Sequence, residues 1–487
     1  MADYDLAIIG GGLNGVSVAR DAAGRGLRVI LLEQGDLGGG ASQASPRLVH
    51  GDLAGLERRA FFRVHTQLAE RDVWLDIAPH LVRPMRFAIP AHSDERPPWQ
   101  LRSWLLLYDR LASRNRLPAS ATVDVTHHPL GNALRRPIGT AFEYSDCVVD
   151  DSRLVVACAV DAAERGAVIR TGARCTRADR GETWRLVVID RGHRQVISAR
   201  ALVNATGAWT SSVAETVLRV PSPALATMQI SQIVVRRLFD SDNVYVFQNS
   251  DRRLIFASPY AGDFTLIGTI GHPFKGDPAI VAMEMGEVAY LCDAANRYFR
   301  ERISAVDVVR TVSGANSVIN PARKGRDGAM TLDYRRGKAP LITIFGGDVT
   351  TSRRRAEKAV SELARFYPMS PRWTAKAPLP GGDFAWDRFE TEIDIARERW
   401  RFLSEAQARR LVGAYGTNVK TVLGDARERA DLGPAFGPEL TGAEVRYLMT
   451  REWARFPDDI LWRRSKLGLT MPVAGREALA AFMAVAA

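Results

Sequence analysis

The 487-residue chain carries 66 lysines and arginines against 55 aspartates and glutamates, a formal charge of +11, with 46% hydrophobic and 25% charged residues. That length predicts two to three domains with large cores, and the composition is that of a soluble globular enzyme. No apolar run reaches the roughly 18 residues of a membrane span. The four cysteines, Cys147, Cys158, Cys175 and Cys292, form no CxxC pair, which argues against a structural zinc site or a disulfide framework and suits a reducing cytoplasm.

In chain order, the opening Met1-Ala-Asp-Tyr-Asp lacks the basic and apolar regions of a secretory leader. An apolar strand from Leu6 to Ile9 then runs into Gly10, Gly11 and Gly12, and a helix opens at Asn14 and Gly15. A second strand, Arg28 to Leu32, ends at Glu33, 18 residues after Gly15. This is the order of a dinucleotide-binding βαβ unit. Gly10 permits the tight turn, Gly12 lets backbone approach a pyrophosphate, and Gly15 lets helix and strand pack closely. The helix N-terminus offers unpaired N–H groups to the pyrophosphate. An acid at position 33 takes the ribose hydroxyls and disfavours a 2′-phosphate, so FAD or NAD is expected rather than NADP.

The glycine-rich loop from Gln34 to Leu53 lets backbone pass close to a flat ligand. His50 at its end is read with equal weight as structural or catalytic. A helix is predicted from Glu57 to Ala78, then short extended pieces broken at Pro79, Pro84 and Pro90. The leucine- and tryptophan-rich segment Pro97 to Leu111 reads as either a core helix or a membrane-surface helix. A capped helix follows Val149, and a strand at 167–171 is placed to close beside Glu33. Two further strands, 184–189 and 195–197, precede the apolar run into Ala205-Thr206-Gly207, a second backbone approach to the cofactor. Alternation over 226–305 predicts an antiparallel sheet, with strands at 230–235, 244–248, 253–258 and 264–269. A helix is expected over 283–299 and strands over 306–318 and 341–345. The last of these runs into Gly346-Gly347-Asp348 and a long helix, a second positive dipole end. Beyond Gly382 the chain reads as mainly helical.

The segments IIGGGLNG, DAAGRGLRVILLEQGDL, LVHGDL, APHLVRPMRF, FEYSDCVVDDSRLV, LVNATGAW, IGTIGHPFKGDP, FGGDVTT and EWARFPDDILWRRSKLG carry a resemblance over nearly the full length. The chain resembles the FAD-dependent, quinone-linked glycerol-3-phosphate dehydrogenases. The resemblance implies bound FAD, hydride removal from a secondary alcohol carbon, and electrons passed to a membrane quinone. It also implies an α/β, FAD-binding Rossmann-like fold of the D-amino-acid-oxidase type, with an antiparallel-sheet substrate domain and a C-terminal helical cap. The expected division is 1–80, 142–225 and 306–368 for the cofactor domain, 81–141 and 226–305 for the substrate domain, and 375–487 for the cap.

Around the cofactor the expected residues are Gly10, Gly12, Asn14, Gly15, Glu33, Gln34, Leu37, Ser42, Ser45, Arg47, Leu48, His50, Arg174, Thr206, Gly207, Trp209, Gly347, Thr350 and Thr351. Departures from the family pattern gather elsewhere. Ala54 and Gly55 stand where arginine and tyrosine are expected, and Asp52 stands for a glycine. Asn316 and Leu332 each replace an arginine, Asp348 replaces a lysine, and Ile270 and Gln232 lie in altered loops. With Tyr260, the residues Ala54, Gln232, Ile270, Asn316 and Leu332 make the expected substrate pocket. Arginine holds a phosphate dianion through paired, charge-assisted hydrogen bonds that alanine, asparagine and leucine cannot make.

The expectation is therefore an FAD enzyme whose substrate is not free glycerol 3-phosphate, but a neutral or cationic hydroxyl- or amine-bearing molecule, or an acyl group tethered to an acidic carrier protein. His50 is the first candidate base, with Asp348 and Asp52 as alternatives. Still open beside it are a functional glycerol-3-phosphate dehydrogenase that uses other arginines, and a flavin-binding protein without turnover. No metal site and no nucleic-acid partner is expected. Quinone or oxygen is the expected acceptor, in the cytoplasm or against the inner face of the membrane, as a monomer or a dimer.

Overall fold

A computed structural model describes residues 2–91, 97–112, 116–136, 139–249, 251, 253–269, 271–319 and 329–486. The strand Tyr4–Ile9 buries both faces, with Leu6, Ala7 and Ile8 fully inaccessible. A strand apolar on both sides belongs at the centre of a covered parallel sheet. It pairs in parallel with Val29–Glu33 on one side and His193–Asn204 on the other. The main path of the sheet runs Ala329–Arg335, Lys338–Phe345, His193–Asn204, Tyr4–Ile9, Val29–Glu33, Val168–Thr171. Thr171 lies opposite Glu33, as the sequence predicts. The two predicted strands at 184–189 and 195–197 are a hairpin arm and the start of one long strand that continues through Asn204.

The helices Leu13–Gly24, Asp151–Glu164 and Ser352–Leu363 pack together on one face of this sheet around Val16, Ala19, Leu154, Val155 and Ala359. The Asp150 carboxylate caps the second of them by accepting from Arg153 N at 3.2 Å.

The second sheet runs His272–Phe274, Leu225–Arg236, Phe264–Thr269, Leu254–Tyr260, Val244–Gln248, Val82–Pro90, Thr140–Val149, Leu48–Val49. Val308–Ile319 adds to Leu225–Arg236, and Ala121–Asp124 to Thr140–Val149. Leu48–Val49 and most of Thr140–Val149 and Val308–Ile319, expected in the cofactor domain, pair here instead. Alternation identifies a strand but says nothing about which sheet takes its edge. Val82–Pro90 is also one continuous strand rather than broken pieces. Pro84 is tolerated because the neighbour on its far side, Val244–Gln248, pairs only at Phe87 and Ala88.

Beyond residue 380 the helices Phe389–Arg399, Glu405–Tyr415, Gly442–Arg451 and Val473–Ala486 close over their own core of Leu411, Val412, Leu440, Val445, Leu448, Ile460 and Leu479. Buried charges tie this unit to the cofactor sheet. Arg153 pairs with Glu452 and donates to Ala414 O at 2.7 Å. Arg464, fully buried, grips Asp36, and Lys466 Nζ meets Asp150 at 2.6 Å. No helix among the described residues is long and apolar enough to cross a membrane.

His80 lies in this junction, near Arg153, with its ring against Gly416 and its Nδ1 unpartnered among the described residues. Burial first, and then the Arg153 guanidinium, push it from 6.5 down to about 3. As pH falls the unfolded chain therefore takes up this proton first, and stability drops from near pH 6.5 toward pH 3. Between pH 8 and pH 5 the expected loss is about 2 kcal/mol. In urea unfolding the His80→Leu variant should lose that part of the pH dependence; an unchanged slope would mean His80 is protonated in the folded chain.

Candidate active site

A cavity of about 850 Å³ runs along the end of the parallel sheet, large enough for a dinucleotide. Its middle is the first turn. Gly10 takes φ +109°, and a Cβ there would stand 2.5 Å from Ala205 O, while a Cβ on Gly15 would overlap the Gly10 carbonyl. Gly12, Leu13 and Asn14 open the helix at this wall. Ser42 Oγ accepts from Leu13 N at 3.1 Å and keeps its own hydrogen to donate.

Glu33 faces one end of the cavity. Its two oxygens accept from Gly11 N and Gly35 N, each at 2.7 Å, and each retains a lone pair for a ribose hydroxyl. Burial pushes its carboxyl up, and these two N–H groups counter part of the rise. Gln34, Asp36, Arg174 and Arg463 line the same end, with Arg463 paired to Asp36. Arg463 comes from the C-terminal unit. The sequence reading assigned that unit only a capping role and missed both Arg463 and Asp36.

The far end is lined by Leu48, His50, Ile230, Asn316, Gly347, Asp348 and Val349. Asn14 joins this end to the first turn: its Nδ2 donates to Gly346 O at 3.0 Å and its Oδ1 accepts from Arg355 at 2.7 Å. Thr350, fully buried, accepts from His50 N at 3.1 Å and so holds the histidine backbone. His50 Nδ1 accepts from Asp52 N at 3.0 Å. In the neutral ring the hydrogen then sits on Nε2, which makes His50 a hydrogen-bond donor.

Asp348 Oδ1 accepts from Thr351 N at 2.6 Å and Thr351 Oγ1 at 2.8 Å, ahead of the helix Ser352–Leu363. Burial works against its charge. The Arg355 guanidinium and the Thr351 groups outweigh it and hold the carboxyl below the usual carboxylate range. Such a group is a weak proton acceptor at neutral pH, so Asp348 does not suit the role of general base.

Of the residues predicted at the cofactor, Gly10, Gly12, Asn14, Glu33, Gln34, Ser42, Ser45, Leu48, His50, Arg174, Thr206, Gly207, Trp209 and Gly347 line the cavity. Gly15, Leu37, Thr350 and Thr351 stand behind its wall. Arg47 does too. At φ +60° it stacks on Tyr260 at 4.7 Å and meets Asp151 at 3.1 Å, so its charge is spent inside the protein.

The pocket residues scatter. Of the described members of the predicted substrate group only Asn316 reaches the cavity. Gln232 donates to Ser45 O at 2.8 Å and faces a separate small cleft, and Tyr260 is covered by Arg47. Leu332 packs against the core of the cofactor sheet, because strand alternation turns it inward. Ala54 sits on the short helix Ala54–Glu57, off the cavity. Asp52 takes φ +54°, pairs with Arg63 at 3.4 Å and does not line the cavity, which removes it as a base. Ile270 lies outside the described residues.

The sequence model described as FAD dependent oxidoreductase matches residues 5–347, and that of the C-terminal domain of alpha-glycerophosphate oxidase matches 372–487. A glycerol-3-phosphate dehydrogenase of Pseudomonas aeruginosa is 43% identical over 96% of this chain and 92% of its own length. The chain belongs to the FAD-dependent glycerol-3-phosphate dehydrogenase family. A second relative in that family range, a D-erythritol 1-phosphate dehydrogenase of Brucella abortus, is 40% identical over 97% of this chain and 96% of its own. Among solved structures, a Bacillus halodurans glycerol-3-phosphate dehydrogenase complexed with FAD superposes with a TM-score of 0.78. It is 25% identical and covers 99% of this chain and 90% of that one. Membership in the glycerol-3-phosphate dehydrogenase family makes the chain an FAD-dependent dehydrogenase acting on CH–OH. The glycine cradle, the free lone pairs of Glu33 and the cavity running past both fit that cofactor.

Proposed function

We propose that this dehydrogenase oxidises a hydroxylated small molecule that does not present a phosphate dianion. The observation that carries this reading is the far end of the cavity. Among the described residues, no lysine or arginine lines it beside His50, Ile230, Asn316 and Asp348. Arg355 lies behind the turn, engaged by Asn14 and Thr351. Asp348 would repel an anion there.

FAD, when bound, accepts the hydride from the carbinol carbon. The chain's part is to hold that carbon in place. His50 Nε2–H donates to the substrate oxygen. The Asp348 carboxylate, with Oδ1 taken by Thr351, offers Oδ2 to the substrate hydroxyl hydrogen. Acting as a base at Nε2 would require His50 to give up the Asp52 N–H contact first, so orientation is the role this geometry favours, and the hydroxyl proton released with the hydride passes to solvent.

The second reading, a polyol-phosphate dehydrogenase, is favoured by the 40–43% identity to glycerol-3-phosphate and D-erythritol 1-phosphate dehydrogenases. Anaerobic dye reduction separates the two, using polyols, amino alcohols and carrier-tethered hydroxyacyl groups against glycerol 3-phosphate and erythritol 1-phosphate. An unphosphorylated substrate is expected to exceed both esters by about two orders of magnitude in kcat/KM, the worth of a lost buried phosphate contact. A robust rate with either ester at millimolar concentration overturns the reading. A flavin that stays oxidised with every compound would mark a binding protein without turnover.

For the acceptor, we infer a quinone reached at an anionic membrane surface. Phe62 and Trp99 are 77% and 72% exposed, with Phe61 and Leu106 also exposed and Arg58, Arg59 and Arg110 on the same two segments. Apolar side chains flanked by arginine suit an anionic interface. In the same assay, Phe62→Ser should slow reduction of a vesicle-embedded quinone several-fold and leave dye reduction unchanged.

A further inference from the structure

The dinucleotide has one way to lie in this cavity. Glu33 would hold the adenosine ribose and the Gly10–Asn14 turn the pyrophosphate, which would leave the end lined by His50, Asn316, Gly347 and Asp348 for the isoalloxazine ring. At that end the helix Ser352–Leu363 begins. A twelve-residue helix gives its first turn a partial positive charge, and bare N–H groups there stabilise a neighbouring anion. Here the residue leading into that turn, Thr351, has its N–H taken. Asp348 Oδ1 takes both the Thr351 N–H, at 2.6 Å, and the Thr351 hydroxyl, at 2.8 Å. The carboxylate lines the cavity and brings a negative charge to that end, with the Arg355 guanidinium as its counter-charge within the same turn.

Two-electron reduction leaves negative charge on the flavin ring, and a fixed anion beside the ring opposes that change. We propose that Asp348 is a potential-setting residue that holds the bound flavin at a low reduction potential, so that the reduced cofactor passes its electrons on readily. The role is independent of which alcohol is oxidised and uses no proton transfer by Asp348. Arg355 and Thr351 act with it as positioning residues. Thr351 Oγ1 accepts from Arg355 at 2.9 Å while donating to the carboxylate, and Arg355 also donates to Asn14 Oδ1. The charge is thereby fixed to the same turn that grips the pyrophosphate. His50 is the other titratable group facing Asp348.

The test separates charge from shape. Asparagine keeps an oxygen that can accept from Thr351 and removes the charge. In the FAD-loaded full-length protein, Asp348→Asn is expected to bind sulfite, which adds to the flavin as an anion, at least tenfold more tightly. The midpoint potential should rise by about 30 mV, the two-electron equivalent of tenfold. Visible absorption shows that FAD is retained, which keeps this readout apart from turnover. If Asp348→Asn sheds its flavin, Asp348→Ser serves in its place. Sulfite affinity within twofold of the parent protein overturns the proposal. So does loss of FAD from both variants, because a charge that only sets the potential leaves retention intact.

Discussion

Gly15→Ala is expected to yield a colourless protein, with FAD affinity lowered by about two orders of magnitude or more. The added methyl has no free space. It would overlap the Gly10 carbonyl, which belongs to the same turn, so relief requires the helix Leu13–Gly24 to move off the strand Tyr4–Ile9. That strand and helix set where the N–H groups of Gly12 and Leu13 meet the pyrophosphate, and a shift of an ångström removes several hydrogen bonds together. Gly286→Ala is the control. Gly286 lies in the helix Met285–Tyr298, and a Cβ there meets open space. Fluorescence titration with FAD after gentle unfolding and refolding reads both. Stoichiometric flavin on Gly15→Ala would contradict the turn described above.

His50→Ala should retain its flavin and lose about 10²- to 10³-fold in kcat/KM in the dye assay. The ring is placed rather than merely present. Thr350 fixes its backbone, Asp52 N–H fixes its tautomer, and together they commit Nε2–H to donation. Thr350 is itself pinned, because its carbonyl accepts from Trp74 Nε1 at 2.9 Å. Removing the ring leaves the substrate oxygen without its donor while the glycine turn and Glu33, at the other parts of the cavity, are untouched. Thr350→Val, which unfastens His50 without deleting it, should fall between the parent and His50→Ala. Half of the parent activity remaining in His50→Ala would remove this histidine from the mechanism.

The parts of the site that depend on neighbours in sequence were legible. The glycine turn, Glu33 and the Ala205-Thr206-Gly207 strand end each follow from a local pattern with one structural solution, and these residues come together in the cavity. Residues placed only by their departure from the family pattern were less readable. Asp52 is two positions from His50, but its left-handed backbone sends it to Arg63. Leu332 was expected in the pocket, and strand alternation turns it, half-buried, against the core of the cofactor sheet. The strand expected at 306–318 pairs in the second sheet, because a strand pattern does not encode its partner. Arg463 carried no local signal. Its meaning depends on Asp36, and a pairing between chain ends is invisible until both are folded.

That last pairing has a consequence for how the molecule is put together. Asp36 and its two arginines are 427 and 428 positions apart in sequence, so their meeting is among the last to form as the polypeptide collapses. Because Arg463 of the C-terminal unit lines the cavity beside Asp36, the wall around the adenosine half is complete only with both ends of the chain in place.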